Sequence, residues 1–181
     1  MSTENVKGTV HHIARRAQGT QGDVPAECNG RLTPPLEEGP FYKPGSPERT
    51  SIAEPGTAGR RLVVEGYVFD RNCRPIKNAW LDFWQTDGNG EYDNAGYKMR
   101  GHLFTDQAGR YTLETVVPGL YPGRTAHIHV KVQAPDGPVL TTQIFFPGVS
   151  ENETDSIFSE QLLATVEDTQ NGICKWMFLK Q

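Results

Sequence analysis

The chain has 181 residues, which fits one domain large enough to bury a core without metal or disulfide staples. Its 18 basic and 22 acidic residues leave a net charge of -4, a balance that argues against a nucleic-acid surface or a polybasic membrane patch. Nineteen Gly and 13 Pro point to a turn-rich β protein rather than a helical bundle.

Residues 1–30 are polar and aperiodic and read as a loose arm. They carry no apolar run of signal-peptide type, and no segment approaches the length of a membrane span, so a cytoplasmic protein is expected. Residues 31–60 are crowded with Pro and Gly and predict an extended, irregular segment on the domain surface. RLVVEGYVFD then alternates like a strand. In NAWLDFWQT, a second strand, Ala79, Leu81 and Phe83 share one face while Trp80, Asp82 and Trp84 share the other. A Gly/Asn/Asp loop follows, then strands in HLFTD, RYTLETVV, AHIHVKVQA, VLTTQIFFPG and ICKWMFLK. Residues 150–168 hold one short helix candidate, starting near Thr154 or Ser156. The sum predicts a mainly β fold: an antiparallel β-sandwich over residues 31–181, with one short helix.

The sharpest local feature is His127-Ile128-His129 inside a predicted strand. Side chains at i and i+2 leave a strand on the same face. Ile128, Val130 and Val132 would fill the core side, and the two imidazoles would stand parallel on the other, close enough to hold one metal ion. Two exposed histidines on a solvated face is the competing reading. Candidate further ligands are the carboxylates Asp87, Asp93 and Asp106 and two tyrosines in Gly-rich loops, Tyr92 and Tyr121. A phenolate is a hard anionic oxygen donor that favours ferric iron. Arg124 lies on the loop of Tyr121, where a fixed guanidinium could hold an anion. Gln143 lies on the strand expected to pair with the histidine strand, where it could donate to a substrate oxygen. The three cysteines, Cys28, Cys73 and Cys174, form no CxxC or Cys/His cluster, so zinc through sulfur is not expected. Their odd number leaves room for one bridge.

These motifs resemble the intradiol ring-cleavage dioxygenases. The resemblance runs from about Thr33 to Gly148 and is carried by TPPLEEGPFY, by GYVFDRNCRPIKNAWLDFWQTDGNGEYD, by RGHLFTDQAGRYTLETVVPGLYPGRTAHIHVKV and by LTTQIFF. It implies a catalytic domain with one Fe(III) per chain, held by Tyr92, Tyr121, His127 and His129. Tyr121 would be the ligand that leaves to take up a substrate proton. Arg124 would stabilise the anionic ring and Gln143 would orient the substrate, so Arg124, Gln143 and Tyr121 are the implied catalytic residues. Gly39, Pro40 and Phe41, together with Arg124, would approach the substrate. The implied partners are a small catechol and O₂, and the implied product is a cis,cis-muconate-type diacid. Thr125 departs from the family pattern, which has Pro there, and the change should affect loop stiffness more than chemistry. The chain lacks the helical dimerisation region of the catechol and hydroxyquinol enzymes and carries a complete ligand set, so a homo-oligomer or monomer is implied. Secreted members pair cysteines near positions matching Cys28 and Cys73, and such a bridge would weaken the cytoplasmic reading. The segment from Gly66 to Tyr121 also resembles transthyretin-like and carboxypeptidase-regulatory sandwich modules. Those need no metal, and the fold alone does not separate them from an enzyme.

Overall fold

The computed structural model describes residue 28, residues 30–168 and residues 173–179, and of 168 and 173–179 the backbone only. The loose arm expected over 1–30 therefore lies outside the described residues, apart from Cys28 and Gly30. The strands are β1 (Arg61–Phe69), β2 (Trp80–Trp84), β3 (Arg100–Phe104), β4 (Arg110–Val116), β5 (His127–Gln133), β6 (Val139–Phe145), β7 (Thr165–Asp168) and β8 (Ile173–Leu179). They form two four-stranded sheets, ordered β4-β1-β8-β7 and β3-β2-β5-β6. Every pairing within them is antiparallel except β1 with β8, which is parallel.

The core lies between the sheets and follows the period of two. Leu62, Val64 and Val68 of β1 and Tyr111 and Leu113 of β4 point inward against Leu81 and Phe83 of β2 and Ile128, Val130 and Val132 of β5. The second sheet is buried on its outer face as well: Asp82, Trp84, Arg100, His127, His129 and Gln143 are all buried. The cover is the Pro/Gly-rich segment, which does more than lie on the surface. Leu36 N–H donates to Thr141 O on the β6 edge, while His102 N–H donates to Pro47 O and Arg49 N–H to His102 O on the β3 edge. Residues 36–49 thus strap the sheet from one edge strand to the other, pairing one edge group of β6 and two of β3. The strap continues to the other sheet, where Ile52 N–H donates to Glu114 O of β4.

The single short helix expected after β6 is replaced by two 3₁₀ turns, Ser150–Glu153 and Glu160–Leu162. Asp155 caps a turn, with Phe158 N–H donating to its carbonyl. Its carboxylate accepts the N–H groups of Thr125 and Ile157 and the Arg124 guanidinium. The chain beyond is drawn into pairing, where Leu163 bridges Phe145 and Ala164 N–H donates to Phe145 O, and the turn does not extend into a helix. Cys28 and Cys73 are joined by a disulfide.

Candidate metal centre

The candidate site is built on one cross-strand row. Arg100 of β3 pairs with Trp84 of β2, Trp84 with His129 of β5, and His129 with Gln143 of β6. All four side chains share the face opposite the core, because side chains directly across a sheet point the same way. His127 stands one alternation along, beside Phe145.

The two imidazoles converge, with His127 Nε2 and His129 Nε2 3.1 Å apart. His127 Nδ1 lies 2.6 Å from Thr125 O. A carbonyl only accepts, so the proton is assigned to Nδ1 and the Nε2 lone pair is left for the centre. His129 lies flat on the Trp84 indole, with ring centroids 4.7 Å apart and planes within 5°. Burial, aided by the nearby Arg124, lowers His127 to about 4. Burial and the neighbouring His127 hold His129 well below the usual histidine range. Both rings are therefore neutral near pH 7, the form that donates to a metal.

The tyrosines come from two loops that glycine allows to meet. A Cβ on Gly90 would lie 2.0 Å from Leu120 O, and one on Gly119 would lie 2.3 Å from Gly90 N. Only bare backbone fits there, and the approach sets the Tyr92 and Tyr121 rings 5.8 Å apart. Asp93 closes the turn after Tyr92 by accepting the N–H groups of Ala95, Gly96 and Lys98. Tyr121-Pro-Gly-Arg124 is a four-residue turn, with Arg124 N–H donating to Tyr121 O and Gly123 at φ +83°. The turn folds Arg124 back over Tyr121, whose ring is 5.7 Å from that of His127.

Arg124 is fully engaged. It donates from Nε to Asp155 Oδ2 at 2.9 Å, from Nη2 to Gln143 Oε1 at 2.5 Å, and from Nη1 to Tyr121 Oη at 3.4 Å. Burial acts to raise the Asp155 carboxyl, but the N–H groups of Thr125 and Ile157 and the Arg124 guanidinium hold it below its ordinary value. Gln143 donates its amide to Glu37 O at 3.1 Å. Gln143 thus ties Arg124 to the strap through its oxygen and one N–H, and its second amide N–H is left for another acceptor. Of the strap residues singled out from sequence, Gly39 sits against His129, where a Cβ would meet Cε1 at 3.5 Å. Phe41 stacks on Tyr92 at 4.4 Å, and Pro40 is exposed beside them.

Two groups escaped the sequence reading, and the bonding of a third, Thr125, was not foreseen. Arg100 is buried and donates to Phe41 O at 2.6 Å and to Asp93 O at 3.1 Å, pinning the strap and the Tyr92 loop together. Asp155 anchors Arg124 from 31 residues away. Thr125, where the pattern has Pro, uses the N–H that Pro lacks to bond Asp155 and its hydroxyl to bond Asn152. A placement signal existed only for Arg100, two residues before His102 on a strand and hence on the same face.

A cation fits this arrangement. The two Nε2 atoms face each other, and Tyr92 Oη is buried without a hydrogen-bond partner among the described residues. Burial and the neighbouring Tyr121 push the Tyr92 hydroxyl far above its ordinary value, although Arg124 and Arg100 act against the rise. A phenol placed so ionises when a strong positive charge is bound beside it. Among the described residues, no group of three or more His, Cys, Asp and Glu could hold a metal ion. A metal on the two histidines would therefore draw its other protein ligands from the tyrosines, and a zinc site of two histidines and a carboxylate finds no support.

The dioxygenase family profile matches residues 37–177 of this chain. The hydroxyquinol 1,2-dioxygenase of Nocardioides simplex is 30% identical over 156 residues, covering 73% of this chain and 53% of that protein. The catechol 1,2-dioxygenase of Acinetobacter baylyi is 30% identical over 170 residues, covering 78% of this chain and 54% of that protein. The chain thus spans about half the length of these curated relatives. The dioxygenase domain of a dioxygenase–carbohydrate-binding protein fusion from Streptomyces sp. SirexAA-E superposes with a TM-score of 0.81. It is 51% identical, over 83% of this chain and 99% of that one.

Proposed function

Since the chain belongs to the intradiol ring-cleavage dioxygenase family, we propose that it binds one Fe(III) through Tyr92, Tyr121, His127 and His129 and cleaves a catechol-type ring with O₂. Cleavage falls between the two hydroxyl-bearing carbons and gives a cis,cis-muconate-type diacid. Both oxygen atoms enter the product and the ring supplies all the electrons, so no external reductant is needed. The observation that supports this reading best is the pair of converging histidine nitrogens, 3.1 Å apart, with two tyrosine rings and one anchored arginine around them.

Ferric iron supplies, when bound, the electron-accepting centre that makes the catecholate ring itself reactive towards O₂. The rest falls to the chain. The Thr125 carbonyl keeps the His127 proton on Nδ1 and away from the centre. The two tyrosines line different cavities: Tyr92, with its Oη buried, one rimmed by carboxylates, and Tyr121 the one it shares with Arg124. Tyr121 is the one placed to accept a proton from an entering catechol. Arg124, held by Asp155 and Gln143, presents a fixed positive charge to the anionic ring without reorganising. Phe41 on Tyr92 and Trp84 on His129 wall the centre with apolar surface.

Purified protein should contain one iron per chain, absorb visible light through phenolate-to-iron charge transfer, and consume O₂ with catechol. Colourless protein at full iron occupancy would refute the tyrosine ligation, and absent O₂ uptake would refute the activity. All the proposed ligands lie on one chain, so a monomer or homo-oligomer serves equally. The Cys28–Cys73 bridge supports an oxidising compartment over the expected cytoplasm. Counting free thiols in protein from its native source decides between them.

A further inference from the structure

Two cavities include residues of the centre in their lining. One, of about 460 Å³, reaches Tyr92 and is rimmed by Glu54, Asp87, Glu91 and Asp93 against Lys98. Its acidic rim suits a catecholate poorly. The other, of about 330 Å³, is lined by Tyr121 and Arg124 together with Leu120, Pro122, Gly123 and Glu151. It is therefore the cavity in which the guanidinium and the proton-accepting tyrosine are both reached.

The rest of this second cavity has a definite chemistry. Leu120 is an exposed apolar side chain, and Pro122 continues that surface along the same wall. A Cβ on Gly123 would meet nothing within 4 Å, so this wall opens outward. The lining cation, Arg124, is paired at 2.9 Å with Asp155, whose side chain is 1% exposed. Glu151 is left over: its Oε2 accepts the Ser150 hydroxyl at 2.9 Å, and no described cation forms an ion pair with it. The cavity lining thus carries one negative charge with no ion-pair partner among the described residues, beside apolar surface.

We infer that the substrate is a catechol bearing an uncharged substituent that lies against Leu120 and Pro122 and emerges past Gly123, and that Glu151 selects against catechols bearing a carboxylate. This rests on the dioxygenase reading above. A carboxylate in this cavity would face Glu151 with no free cation to meet it. A neutral chain there gains about fourfold in affinity for each methylene buried.

The test uses iron-loaded protein and three probes: catechol, 4-butylcatechol and 3,4-dihydroxybenzoate. kcat/KM is read from O₂ uptake, and Kd from calorimetry without oxygen. Butylcatechol should be preferred to dihydroxybenzoate in both. Glu151→Lys should move that ratio towards dihydroxybenzoate on the order of tenfold, and Glu151→Gln by less. Thr154→Phe narrows the same cavity without the strain of a side chain at Gly123, and should lower the ratio of butylcatechol to catechol. Equal use of butylcatechol and dihydroxybenzoate by the wild type, or a ratio unmoved by Glu151→Lys, overturns the inference. Binding in the expected order with no turnover would support the inference while refuting the dioxygenase reading.

Discussion

Asp155→Ala tests whether the arginine at the centre is held from outside its own loop. The substitution removes the counter-ion of Arg124, whose side chain is 13% exposed, and orphans the N–H groups of Thr125 and Ile157. Breaking a buried pair costs ~3–5 kcal/mol, and the partial exposure of Arg124 reduces that to about 2–3. The buried Thr125 N–H adds roughly 1–3 kcal/mol, for a total of about 4. A chain of this size loses about 2–4 °C of Tm per kcal/mol, so scanning calorimetry of metal-free protein at pH 7 should show a fall of about 8–16 °C. The loss should shrink in acid. The Asp155 carboxyl is held below its ordinary value in the fold, so its contribution is present above the unfolded pKa and disappears as pH falls through the folded one. Asp155→Asn keeps the shape and one acceptor oxygen. It should retain iron while kcat/KM falls about 10- to 100-fold, because a loosened Arg124 no longer meets the substrate in one orientation. An Ala variant melting within about 2 °C of wild type, or an Asn variant with unaltered kcat/KM, would refute the reasoning.

Tyr92→Phe and His129→Ala should each lower bound iron, measured by elemental analysis, together with visible absorbance; Tyr92→Phe with undiminished absorbance would show that the colour arises elsewhere. Metal-free protein should lose stability as pH falls from about 6.5 to about 4. The unfolded chain protonates the residue at position 127 over that range while the folded chain does not, a cost of up to about 3 kcal/mol. Urea titrations at the two ends of that window, with His127→Gln as the control that should lose less, check the sign. Removing the disulfide by Cys28→Ser and Cys73→Ser opens a closure of 45 residues. It should cost about 4 kcal/mol in chain entropy, read from denaturant midpoints. Arg100→Met should leave the strands intact but release Phe41 and Asp93, measured as weaker iron retention against a chelator.

What could be read from the sequence was whatever repeats with the period of a strand. The seven strands expected between Arg61 and Lys180 are found, and the His127–His129 pair follows from alternation alone. Pairing order was not legible, because nothing local in ICKWMFLK tells that β8 runs parallel to β1. The helix expectation failed because Leu163 and Ala164 are held by Phe145 and Thr165–Asp168 pairs as β7. Tyr92 and Tyr121 stood out by their glycine-rich surroundings. Their meeting depends on Gly90 lying against the backbone of Leu120, a contact between loops far apart in sequence. Arg100 was hidden for a related reason. It fell in the Gly/Asn/Asp loop expected before HLFTD, where an arginine reads as solvent-facing, and only the strap above it makes it a buried clamp.

That strap has a consequence for exchange. It is hydrogen-bonded along the edges of β6 and β3, crosses above His129 at Gly39, and follows closely on the residue bridged to Cys73. A ligand lodged beneath it leaves only through the side cavities or after several backbone bonds open together. Retention at this face is therefore set by an opening rate as well as by affinity. A chelator in excess should strip the folded protein at a pace independent of chelator concentration, and reducing the bridge should quicken it.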